Sequence, residues 1–121
     1  MILPDTAIWI DHIHGKNDQL AALLRGDQVL MHPFVLGEIA LGSMKHYDSI
    51  LESLLTLKQA PIVSDEEVRF MIKRHKIMGT GVGYTDAHIL ASVTVVDGAS
   101  IWTRDKRLSA VALRMGVAWT N

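Results

Sequence analysis

Gly83-Tyr84-Thr85-Asp86-Ala87-His88-Ile89-Leu90-Ala91-Ser92 reads as the opening turns of a helix with a carboxylate near its start. On a helix, Asp86 shares a stripe with Ile89 and Leu90, three and four residues on. A carboxylate on an apolar stripe is costly to bury unless something pairs with it. No Lys or Arg lies within a helical turn of Asp86, so its partner must come from elsewhere in the chain or from a bound ion.

Outward from that stretch, apolar runs alternate with amphipathic ones. Short strands are expected at 1–3, 28–31, 60–63, 100–103 and 117–119. Helices are expected at 6–14, 17–25, from Pro33 through Leu41, at 47–57, from Asp65 towards Gly79, from Thr85 to about Val95, and after Asp105. Pro33 suits a first helical position, with His32 before it. Ser64 with Glu67 three residues later forms a capping box, and Thr85 is expected to cap the helix of the opening stretch. Gly79 to Gly83 carries three glycines in five residues and reads as a loop passing close to a cleft. It lacks the Gly-Lys-Ser/Thr ending of a phosphate-binding loop.

Alternating strands and helices predict an α/β fold: a parallel sheet of about five strands flanked by helices in three layers, within a single domain over 1–121. The 121 residues suit one core. With 49% hydrophobic and 21% charged residues, the chain is not a disordered one. A net charge of −1 excludes a bulk polycation, so any nucleic-acid contact must be local. There is no cysteine, which removes disulfides and thiolate metal sites. Neither a secretory leader nor a bilayer-spanning run is evident, and a cytoplasmic protein without membrane contact is expected.

In a parallel sheet, functional groups gather beyond the C-terminal strand ends. Asp5 and Asp105 both follow a strand, and Glu38 sits mid-helix among Phe34, Val35 and Leu41. Each acid has a plainer explanation. Asp5 and Asp105 suit helix N-caps, Asp86 suits a first turn, and Glu38 could sit at a stripe's edge. Taken together they place four acids where a cleft belongs. Two such charges ~4 Å apart repel by about 4 kcal/mol at an effective dielectric of ~20. Cations relieve that cost, and hard oxygen ligands select Mg²⁺ or Mn²⁺. Thr6 and Thr103 adjoin the acids and are candidates to support them. Lys73-Arg74-His75-Lys76 reads as a solvated basic face. Arg104, Lys106 and Arg107 flank Asp105 and are candidates to touch an RNA backbone. Trp9, Trp102 and Trp119 are expected in the core. His12 and His14 are expected at the surface, and His88 in a structural hydrogen bond facing away from Asp86.

Four segments, Leu3 to Asp11, Gly37-Glu38-Ile39, Gly83 to Ala91 and Trp102 to Leu108, resemble in order the motifs of PIN domains, most closely those of VapC-type toxins of toxin–antitoxin pairs. The resemblance spans the chain. It implies a Mg²⁺- or Mn²⁺-dependent endoribonuclease with Asp5, Glu38, Asp86 and Asp105 as its acidic site, the first three being the firmer ligands and Asp105 acting through water or a second ion. It also implies a cognate antitoxin, a homodimer and an RNA substrate, tRNA and rRNA being candidates. Pro4 departs from the family's usual small or aliphatic residue, so a local change in strand pairing is expected there. Two other classes compete. A receiver-like phosphoacceptor would carry paired acids after its first strand and a Lys after its last, whereas Asp5 stands alone. An inactive PIN-like module would bind without cutting.

Overall fold

The computed structural model describes residues 1–120 and leaves Asn121 outside. Strands β1 (Ile2–Pro4), β2 (Leu30–Met31), β3 (Lys58–Gln59) and β4 (Ser100–Trp102) alternate with helices. The helices are α1 (Thr6–His14), α2 (Asp18–Arg25), α3 (Pro33–Ala40), α4 (Tyr47–Leu55), α5 (Asp65–Arg74), α6 (Tyr84–Val95) and α7 (Lys106–Arg114). Every strand pairing is parallel. β1 pairs with β4 and β2 with β3. Ile2 opposite Val29 joins the two ribbons, and Ile101 opposite Ala118 adds the chain's last described stretch to the edge of β4. The lateral order is therefore β3, β2, β1, β4 and then 117–119.

Pro4 explains why β1 and β2 meet at a single pair. Ile2 N donates to Gln28 O at 2.8 Å, towards β2, whereas Asp5 N donates to Trp102 O at 2.9 Å, towards β4. Side alternates with each residue along a strand, so the amide that Pro4 lacks would have faced β2. The change in pairing expected from this residue is thus confined to one seam.

The third strand lies earlier than the 60–63 expected from its apolar character. Ala60 N still donates to Met31 O at 2.7 Å, and the Pro61 that follows lacks an amide on the side facing away from β2, where an edge strand needs none. The paired residues Lys58 and Gln59 are exposed and polar, as suits a sheet edge.

α6 is the central helix. Seven consecutive residues, Ala87 to Val93, are buried, because the helix packs against α3, α5 and β4. One core of aliphatic side chains, Trp9 and Trp102 runs through the molecule, with Trp119 packed against it. Trp102 and Trp119 lie 4.6 Å apart between ring centroids. His12 is half-buried rather than at the surface: its Nδ1 accepts from Asn17 N at 3.3 Å and its ring meets Trp9 edge-on.

Several helix starts follow the sequence. Asn17 Oδ1 accepts from Leu20 N at 3.0 Å, and Ser64 Oγ accepts from Glu67 N at 3.2 Å. α6 differs. Its N-cap is Gly83, Thr85 lies inside the helix, and among the described residues no side chain caps it.

His32 caps α3 through Nδ1, which accepts from Phe34 N at 2.9 Å. That bond needs a neutral ring with its proton on Nε2, and Nε2 is buried with no hydrogen-bond partner among the described residues. Burial, with the charge of His88 added, lowers the His32 pKa from 6.5 to about 4. The neutral ring therefore supports the fold above pH ~6.5, and that support is lost as pH falls towards 4. In chemical denaturation between pH 7 and 4, His32→Asn, which keeps a capping oxygen, should flatten the acid-side decline by up to about 1.4 kcal/mol per pH unit. Parallel curves for the two proteins would show that His32 does not titrate as described.

Candidate active site

Asp5 follows β1 and caps α1. Its Oδ1 accepts from Ile8 N at 3.4 Å, and its Oδ2 accepts from the Thr103 hydroxyl just past β4. Adjacent parallel strands thus supply an acid and the hydroxyl that orients it. Thr103 Oγ1 also accepts from Asp105 N at 3.0 Å, which ties the β4–α7 turn to the same spot. Asp105 Oδ1 accepts from both Arg107 N and Leu108 N at 3.0 Å. The cap and site explanations of Asp5 and Asp105 are therefore compatible, because one oxygen of each holds a helix start. Asp105 has its Oδ2 to offer elsewhere.

Glu38 is exposed, yet its tip is held. Thr6 Oγ1 donates to Glu38 Oε1 at 2.9 Å, across 32 residues of sequence. Because Thr6 is the neighbour of Asp5, this bond brings the mid-helix acid of α3 to the end of β1. Asp86, half-buried in the first turn of α6, completes the group. Burial first, and then the charges of Asp5, Glu38 and Asp105, push its pKa from 3.8 up to about 6. The four sequence-predicted acids thus converge closely enough to act on one another. Among the described residues, no three His, Asp or Glu side chains stand close enough as placed to form a ready coordination shell. The four acids make a loose cluster rather than a tight cage.

The basic candidates divide. Arg104 turns to α1, donating to Ala7 O at 3.3 Å and pairing with Asp11. Lys106 and Arg107 are exposed beside Asp105, and the Arg107 side chain lies across Gly81. Gly81 has φ +86°, and a methyl group there would meet Arg107 Cδ at 2.7 Å. The exposed arginine could swing aside, so it is the positive φ that calls for glycine here.

Sequence reasoning missed a set of polar contacts beside the acids. Asp65 Oδ1, at the start of α5, accepts from the Tyr84 hydroxyl and lies 2.9 Å from His88 Nε2. These bonds hold the Asp65 carboxyl below its usual pKa range, Tyr84 contributing most. One signal was available: Tyr84 and His88 are four apart and share a helix stripe.

Residues 2–113 match the PIN domain family. The chain belongs to that family. It is 45% identical over 118 residues to Ribonuclease VapC32 of Mycobacterium tuberculosis, in both strains CDC 1551 / Oshkosh and ATCC 25618 / H37Rv, and the alignment covers 98% of this chain and 95% of the relative. As a PIN domain, it has the α/β fold with parallel strand pairing expected from its alternating pattern. No helix among the described residues is long and apolar enough to cross a membrane.

The raised pKa of Asp86 has a sign that can be measured. Its charged form opposes folding above pH ~6, and the penalty disappears as protonation completes below about pH 4. In metal-free buffer at pH 7.5, Asp86→Asn should be more stable than the wild type by roughly 1 kcal/mol, solvent screening allowed for. The gain should vanish at pH 4. Millimolar Mn²⁺ should then raise the melting temperature of the wild type more than that of the variant. Equal shifts in the two proteins would remove Asp86 from the cation site.

Proposed function

We propose that this PIN domain is a VapC-type endoribonuclease dependent on Mg²⁺ or Mn²⁺, the toxin half of a toxin–antitoxin pair acting in the cytoplasm. The observation that carries this reading is the convergence of Asp5, Glu38 and Asp105 on the half-buried Asp86. Like charges held together by the fold are useful where a cation or a phosphate chemistry needs them. The near full-length relative named a ribonuclease supports the same reading.

Asp5, Glu38 and Asp86 would hold the ion, with Asp105 acting through water or at a second one. Bound, the ion would supply an acidified water and neutralise charge developing on the phosphate. Thr103 fixes the rotamer of Asp5, and Thr6 holds Glu38 towards it. His88 is turned to Asp65 and is no candidate for general base. In-line attack on the phosphodiester would leave a 5′-phosphate and a 3′-hydroxyl. Lys106 and Arg107, exposed beside Asp105, would steady the RNA backbone, whereas Arg104 would first have to leave Asp11. The family reading adds a cognate antitoxin that blocks the pocket, a homodimer, and a structured RNA such as tRNA or rRNA as substrate. One carboxylate after β1 and the PIN family match leave the receiver-like alternative without support. An inactive binding module fits poorly with four intact acids.

Purified protein and Asp5→Asn should be incubated with structured RNA, with and without Mn²⁺. The wild type should cleave only with metal, and the variant should fall by at least about 100-fold. Equal cleavage by the two would end the proposal.

A further inference from the structure

α6 begins under unfavourable conditions. Gly79 and Gly81 with positive φ lie in the loop before it, its N-cap is a glycine, and among the described residues no side chain caps its free amides. First turns without a cap tend to fray, yet this turn carries Asp86, which must hold its place among three other acids. What restrains the turn comes from α5. Tyr84 and His88 lie two residues before and two after Asp86, and both reach Asp65 Oδ1, the first residue of α5. The His88 side chain is only 6% exposed. Its ring is fixed further by Tyr84, edge-on at 4.8 Å between centroids, and by Phe34 of α3 at 5.2 Å. The backbone that carries Asp65 is fixed in turn, because Ser64 caps the helix that Asp65 opens, while the Asp65 side chain itself is 67% exposed.

We propose that Asp65 is a positioning residue for the acidic pocket: by binding Tyr84 Oη and His88 Nε2 it tethers the uncapped first turn of α6 to the start of α5 and so holds Asp86 towards Asp5 and Glu38. It touches neither substrate nor ion and acts only through the α6 turn. This deepens the nuclease reading and depends on that reading for its consequence in cleavage, but the restraint on the turn can be tested without it.

Three proteins should be compared: wild type, Asp65→Ala, and Asp65→Asn, which keeps an acceptor oxygen. Hydrogen exchange in metal-free buffer should show amides 87–90 losing about tenfold protection in Asp65→Ala, and regaining most of it in Asp65→Asn. Mn²⁺ titration followed by calorimetry should give about tenfold weaker binding for Asp65→Ala. Cleavage of a fluorescent RNA oligonucleotide should show a lower kcat with KM within about twofold. Should Asp65→Ala not fold, Tyr84→Phe, which removes only one of the two bonds, gives the same comparison at smaller amplitude. Unchanged exchange at 87–90 together with unchanged Mn²⁺ affinity would overturn the proposal. If the wild type fails to cut RNA, the nuclease reading fails, while the exchange and Mn²⁺ results still decide the role of Asp65.

Discussion

Four carboxylates at one end of a parallel sheet repel one another, and the fold must hold them there against that repulsion. It does so by giving nearly every acid a hydrogen-bonded duty that is independent of any ligand. Asp5 and Asp105 start helices, Glu38 takes the hydroxyl of Thr6, and Asp5 takes that of Thr103. Among the described residues, Asp86 has no side-chain hydrogen bond to offset its burial. It is also the acid whose pKa is pushed up. Part of the electrostatic cost of the cluster thus falls on a residue carried by the most enclosed helix of the molecule.

The threonines make this arrangement economical. Each lies within two residues of an acid in sequence and holds a different acid in space. Thr6 follows Asp5 and holds Glu38, while Thr103 precedes Asp105 by two and holds Asp5. The consequence is a closed relay from α3 to β1 to β4, in which shifting any one strand end would disturb the others. Side chains oriented in this way lose little further freedom on meeting a ligand, which is how preorganised sites gain affinity.

Much of this was legible in the residues. Helix caps at Asp5, Ser64 and Asp105 announce themselves through short polar side chains before apolar stripes, and they appear where expected. The ordered motifs around Asp5, Glu38, Asp86 and Asp105 pointed to one pocket because a parallel sheet collects its strand ends. What could not be read depended on partners distant in sequence. The position of β3 was set by pairing with Met31, not by the apolar run after it. The sequence points to Thr85 as the cap of α6, whereas the helix starts after Gly83 and its first turn is tied to Asp65, nineteen residues before Tyr84. His12 looked like a surface residue until α1 met the amide of Asn17.

The proline at position 4 has a further meaning for the sheet beside the acids. With its amide missing on the side of β2, the sheet is stitched there at Ile2 and Val29 and left unzipped beyond. Beyond that seam the Thr6 hydroxyl, next in sequence to the acid that ends β1, donates to Glu38 on the helix after β2. A residue able to donate at position 4 would let β1 and β2 pair one step further, so the proline ring keeps that seam to a single pair.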